Sequence, residues 1–180
     1  MEREFSCYTS ADKSLNILSS FLSFFVSKPP RRRKDGSNVL IISSGGLGDT
    51  ILFAVIFPRF AQLARNGELV TLLLPKDATK MEFLFKSDVV IQGIDYDRLT
   101  KDRTYKKDTC RDLYNTHFRL LISTDFLRHP NRDELLIRAC QADEVLGMEP
   151  RSWQKYDRTL QKNRELYDRL YDSGPIILDK

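Results

Sequence analysis

The stretch Ser43-Ser44-Gly45-Gly46-Leu47-Gly48-Asp49-Thr50 places three glycines and one acid between an apolar run and a segment of helical periodicity. Glycines at such a junction let the backbone approach a ligand, and the helix that follows points unpaired N–H groups into the same space. Three chemistries are open to this loop. Dinucleotide binding calls for GxGxxG and an acid closing the second strand, but the spacing here is GGxG, and Leu74 meets Pro75 where the acid would stand. A phosphate-cradling loop calls for Gly-Lys-Ser/Thr, and Asp49 would set like charge against the phosphate. In the third, Asp49 is itself the working group: it accepts the proton of a hydroxyl as that hydroxyl attacks an electrophile. The competing role for the same residue is a plain helix cap, for which Asp is among the favoured types.

Other candidates are weaker. Cys7, Cys110 and Cys140 are odd in number and widely spaced with no CxxC, which suggests neither disulfides nor zinc. His117 and His129 stand alone, without ligand spacing, so no metal and no resident cofactor is expected. Arg59, Arg65 and Lys76 could meet an anion but fit solvated helix faces, and Thr124-Asp125 follows an apolar run where it could line a cleft or cap a loop. Trp153, the single tryptophan, and Tyr156 read as packing residues with a minor option of stacking on a sugar.

The elements that must position these residues alternate. Apolar runs at 38–42, 69–74, 88–94 and 118–123 read as buried strands, with a short one at 144–147. Between them, a helix is expected from about 48 to 65, carrying Leu52, Val55, Ile56, Phe60 and Leu63 toward a core, with Pro58 kinking or splitting it. A short helix follows at 75–85 and another at 133–139, while 95–116 is polar and poorly periodic. This order implies βαβ units, hence an α/β domain with a parallel sheet covered on both faces. The loop at 43–50 then falls at the carboxyl edge of the sheet, where open α/β folds bind ligands.

The ends differ from the middle. Residues 15–26 place apolar side chains at helical spacing beside Asn16, Ser20, Ser23 and Ser27, an amphipathic helix too short to span a bilayer. Lys28-Pro29-Pro30-Arg31-Arg32-Arg33-Lys34 follows, placing five cations beside it as an interfacial helix would. Setting those five aside turns the chain's net charge of +4 into −1, so no basic face is expected of the folded domain and no nucleic-acid partner is implied. The tail at 156–171 is charged and reads as helical, and 175–178 reads as the start of a further strand, as if the fold continued beyond the chain.

The run 39–42 followed by Gly46-Leu47-Gly48-Asp49-Thr50-Ile51-Leu52, Pro58, the strands at 69–74 and 88–94, and 140–147 ending in Leu146-Gly147 resembles glycosyltransferase family 9, the heptosyltransferases of lipopolysaccharide synthesis. The resemblance covers roughly residues 38–148. It implies the N-terminal half of a GT-B fold: behind the amphipathic helix and basic linker at 1–37, which have no counterpart in the simplest members, 38–155 is a Rossmann-like acceptor domain and 156–180 a helix and the start of a connection to a missing donor domain. It further implies an inverting, metal-independent transfer from a nucleotide sugar to a glycan or glycolipid acceptor, with Asp49 as base and Ser44, Gly45, Gly46, Gly48 and Thr50 shaping the loop. Donor-binding residues are not assignable, Ser43 stands where the family often has Arg, and the 180 residues by themselves are expected to be inactive. The location implied is cytoplasmic, peripheral on the inner face of the membrane through residues 15–34. The alternative is a non-catalytic Rossmann-like binding module at the membrane surface.

Overall fold

The computed structural model describes residues 35–86, 88–172 and 174. The expected amphipathic helix and basic linker, and the strand start at 175–178, lie outside the described residues.

Six parallel strands form one sheet: β1 (Asn38–Ile42), β2 (Val70–Pro75), β3 (Val89–Ile94), β4 (Phe118–Ser123), β5 (Glu144–Met148) and β6 (Arg169–Tyr171). Their order across the sheet is β3-β2-β1-β4-β5-β6, so the chain winds outward in one direction from β1 and then in the other from β4. That is the doubly wound, Rossmann-like arrangement, with its reversal between β1 and β4. Because parallel strands need crossovers, both faces are covered, and β1 shows it residue by residue. Val39 and Ile41 pack into one core layer with Phe53, Phe57, Ala78 and Phe85. Leu40 and Ile42 pack into the other with Tyr96, Leu99, Leu113, Leu136 and Ile137. All four are fully buried, each contributing roughly 1.5–3 kcal/mol by removal from water.

The first layer comes from α1 (Leu47–Ala61) and a 3₁₀ helix (Lys76–Leu84). The second comes from α2 (Tyr96–Lys101), α3 (Arg103–Thr116) and α4 (Asp133–Cys140). A short α5 (Asp157–Lys162) and a 3₁₀ turn (Asn163–Leu166) lead into β6.

Four expectations are corrected. Helix α1 passes through Pro58 and ends three residues later, so the proline does not split it; its missing N–H falls in the last turn. The face of α1 also differs: Phe53 and Phe57 are buried, whereas Leu52 and Val55 are 71% and 77% exposed and Ile56 and Leu63 are exposed too. The polar stretch at 95–116 is two helices, started by Asp95 and Asp102, whose carboxylates accept from the N–H groups of Arg98 and of Thr104 and Tyr105. The tail is not one helix. It breaks after Lys162, and Arg169–Tyr171 adds a sixth strand, so the sheet runs past residue 155. Gly147 in β5 permits this, because a Cβ there would lie 2.7 Å from the Tyr167 ring. Among the described residues, no helix is long and apolar enough to cross a membrane.

Candidate functional site

The turn between β1 and α1 lies at the carboxyl edge, beside the reversal in strand order. Asp49 is the third residue of α1 and is exposed. Its Oδ2 accepts the Gly46 N–H at 2.9 Å, closing the first turn of the helix. Oδ1 makes no hydrogen bond among the described residues. Thr50 is buried and donates its hydroxyl to the Gly46 carbonyl at 3.0 Å, gripping the same turn from inside. Gly45 is there for lack of room: a Cβ would stand 2.5 Å from that of Asp49. Gly46 and Gly48 face no such crowding; Gly48 borders open space.

Ser44 opens the turn, and the partner it finds is Asp125. The Asp125 Oδ2 accepts both the Ser44 N–H at 2.6 Å and the Ser44 hydroxyl at 3.1 Å. Thr124, the residue before it, donates N–H and hydroxyl to the Ile42 carbonyl at 3.0 and 3.1 Å. The end of β4 thus holds the start of the glycine turn. Burial pushes the Asp125 carboxyl up to about 6, and the negative charges of Asp133 and Asp49 push the same way, against the two Ser44 bonds. Two carboxyl groups therefore flank the turn, one exposed at the helix start and one half-buried beneath Ser44.

Behind Asp125 lies Arg128, which is fully buried. It donates to the carbonyls of Asp125, at 3.2 Å, and of Met148, while its Nε meets Glu134 at 3.5 Å and its guanidinium lies over the Tyr167 ring. Asn163 holds the other oxygen of Glu134 at 2.5 Å. One cation thereby ties the loops after β4 and β5 together. An unpaired buried charge costs several kcal/mol, so the Arg128–Glu134 pairing is a condition for this loop arrangement.

The sequence-predicted residues Ser44, Gly45, Gly46, Gly48, Asp49 and Thr50 all belong to this one turn. Arg59, Arg65 and Lys76 are not drawn into it: Lys76 pairs with Asp95 at 3.7 Å, Arg59 lies in the last turn of α1, and Arg65 lines a concavity of about 400 Å³ with Gly36, Arg119, Asp143, Glu144 and Asp168. Those residues flank strand starts, so that hollow opens at the amino edge, away from the glycine turn. Arg128 has no sequence signal, since it is one arginine among many. Among the described residues, no three His, Cys, Asp or Glu side chains gather to hold a metal ion.

Compared with known proteins, the chain matches no family model, and no curated protein matches it in sequence.

Proposed function

We propose that this chain is the acceptor-binding part of an inverting glycosyltransferase, with Asp49 as the base. The observation that carries the reading is the exposed Asp49 carboxylate, fixed through Oδ2 and open at Oδ1, at the carboxyl edge of a doubly wound sheet. An acceptor hydroxyl would donate to Oδ1. As its oxygen bonds to the anomeric carbon of a nucleotide sugar, the bond from that carbon to the diphosphate breaks, and the proton passes to Asp49. Because Oδ2 is already bound to Gly46, the carboxylate loses little further freedom when substrate arrives. The resemblance of Gly46-Leu47-Gly48-Asp49 to family 9 glycosyltransferases supports the same assignment; in this reading the donor nucleotide is held by residues outside those described.

The test is the D49N variant in the protein encoded by the whole reading frame, assayed for nucleoside diphosphate release from a panel of nucleotide sugars with lipooligosaccharide as acceptor. A loss of at least about 100-fold is expected, the usual scale for a positioned base. Activity near that of the unaltered protein removes Asp49 from the chemistry. The Asp49–Gly46 bond also favours a second reading, a binding module in which Asp49 only caps α1. In that case no nucleotide sugar is turned over by the unaltered protein.

A further inference from the structure

The loops after β4 and β5 meet in an aromatic cluster at the same edge as Asp49. The rings of His129, Trp153 and Tyr156 stand edge to face, with centroids 5.8 Å (His129–Trp153), 4.6 Å (His129–Tyr156) and 4.8 Å (Trp153–Tyr156) apart. A backbone bond from Arg151 N–H to the Phe126 carbonyl, 3.0 Å, joins the two loops one residue from Asp125, which in turn holds Ser44. The two loops and the glycine turn are therefore linked by hydrogen bonds at one edge of the sheet. Trp153 is pinned by its backbone, whose N–H donates to Asp157 at 2.5 Å, yet 38% of the residue remains exposed. The single tryptophan is thus held against His129 and Tyr156 while part of it stays open to water.

The hydrogen bonds around His129 define what the cluster offers. Its Nδ1 accepts the Asn131 N–H at 3.1 Å, so in the neutral ring the proton sits on Nε2 and is donated to the Tyr156 oxygen, 2.9 Å away. The Tyr156 hydroxyl keeps its own proton, which has no acceptor among the described residues. Burial and the cations Arg132 and Lys155 hold the imidazole below its ordinary range and favour the neutral ring, against the pull of Asp133 toward the charged one. Lys155 is exposed, with its ammonium 5.1 Å from the Tyr156 ring centre, and Arg132 is half-buried over Tyr96. The surface thus presents an indole, one directed O–H donor and two positive charges, with the carboxylates of Asp133 and Asp157 engaged by the backbone N–H groups of His129 and Trp153.

We propose that Trp153, Tyr156 and His129 form a sugar subsite that takes a pyranose carrying a phosphate or carboxylate. The C–H face of the ring stacks on the indole, the Tyr156 hydroxyl donates to a ring oxygen or hydroxyl, and Lys155 and Arg132 favour the anionic substituent. His129 is a positioning residue that orients the Tyr156 donor. The assignment rests on the glycosyltransferase reading only for the reaction the bound sugar enters; binding itself is independent of it.

Because Trp153 is the only tryptophan, its fluorescence reports this place and no other. The 180-residue chain is titrated with glucose 6-phosphate, galacturonate, glucose and inorganic phosphate, each to about 50 mM. Saturable quenching or a spectral shift with the two charged sugars is expected, with glucose weaker by about fivefold or more and phosphate silent. Y156F and K155A should each weaken the charged sugars by about threefold or more while leaving the far-ultraviolet circular dichroism unchanged. No saturable change with either charged sugar, an equal response to inorganic phosphate, or full binding by both variants overturns the subsite. Since no turnover is measured, failure here leaves the Asp49 result standing, and failure of D49N to lower transfer leaves this one standing.

Discussion

Asp125 accepts two hydrogen bonds from Ser44, but burial outweighs them and raises its pKa to about 6. A carboxyl whose folded value exceeds its unfolded value of 3.8 binds more protons when folded. Its contribution to stability is complete below about pH 4 and is lost as pH rises through 6. Lowering the pH from 7 to 5 should therefore stabilise the fold at this site by about 1 kcal/mol. His129 acts oppositely over the same window: its folded pKa is depressed, so stability is lost as pH falls through its ordinary 6.5. Comparing the protein with its D125N variant cancels the histidine. Asparagine retains an acceptor for Ser44 but does not titrate, so urea unfolding at pH 7 and pH 5 should show the variant lacking that gain of about 1 kcal/mol. Equal pH dependence in both proteins would show that Asp125 does not bind its proton in this range. The residue was visible in the sequence only as an acid after an apolar run. What gives it this behaviour is burial that no local pattern reports, strong enough to outweigh the two hydrogen bonds from Ser44, 81 positions away.

At the scale of elements, α1 is the instructive case. From Ile51 to Phe60 it is apolar on every side except Pro58 and Arg59, so periodicity alone cannot choose its inner face. The sheet chooses the aromatic row: Phe53 and Phe57 stand 5.9 Å apart edge to face, and Phe57 meets Phe85 in the same geometry at 5.1 Å. Replacing Phe57 by alanine should cost about 3–5 kcal/mol in urea unfolding, while Leu52→Ala should stay within about 0.5 kcal/mol. The reverse ranking would mean that the helix packs on the face read from spacing. The strands were legible because a buried parallel strand is a short unbroken apolar run, and 118–123 was placed to the residue. Helices α2 and α3 were not, since α3 buries only Thr109 and Leu113 and shows little apolar stripe. Their signal lay in Asp95 and Asp102 as caps. The last described strand, β6, which lies in the tail read as helical, escaped because Arg169-Leu170-Tyr171 is a three-residue edge strand with one apolar side chain facing Gly147.

The charge of the whole molecule is divided along the chain. The five cations at 28–34 account for the entire positive excess, and the remainder carries a net −1. Nonspecific attraction to an anionic surface must then depend on that segment, because charges dispersed over a neutral domain are screened within about 8 Å at physiological salt. Each Lys or Arg beside an anionic bilayer contributes about 1 kcal/mol, so five exceed what a single short apolar segment needs for reversible attachment. Co-sedimentation of the 180-residue chain with vesicles containing about 30% phosphatidylserine should thus be strong at low salt and weaken steeply as salt rises. Changing Lys28, Arg31, Arg32, Arg33 and Lys34 to serine should reduce binding by about tenfold or more. The exposed apolar residues of α1, Leu52 and Val55 among them, provide the contrast. Attachment through them would be insensitive to salt and would survive the five serines, and that outcome would assign membrane contact to the folded domain in place of the segment before it.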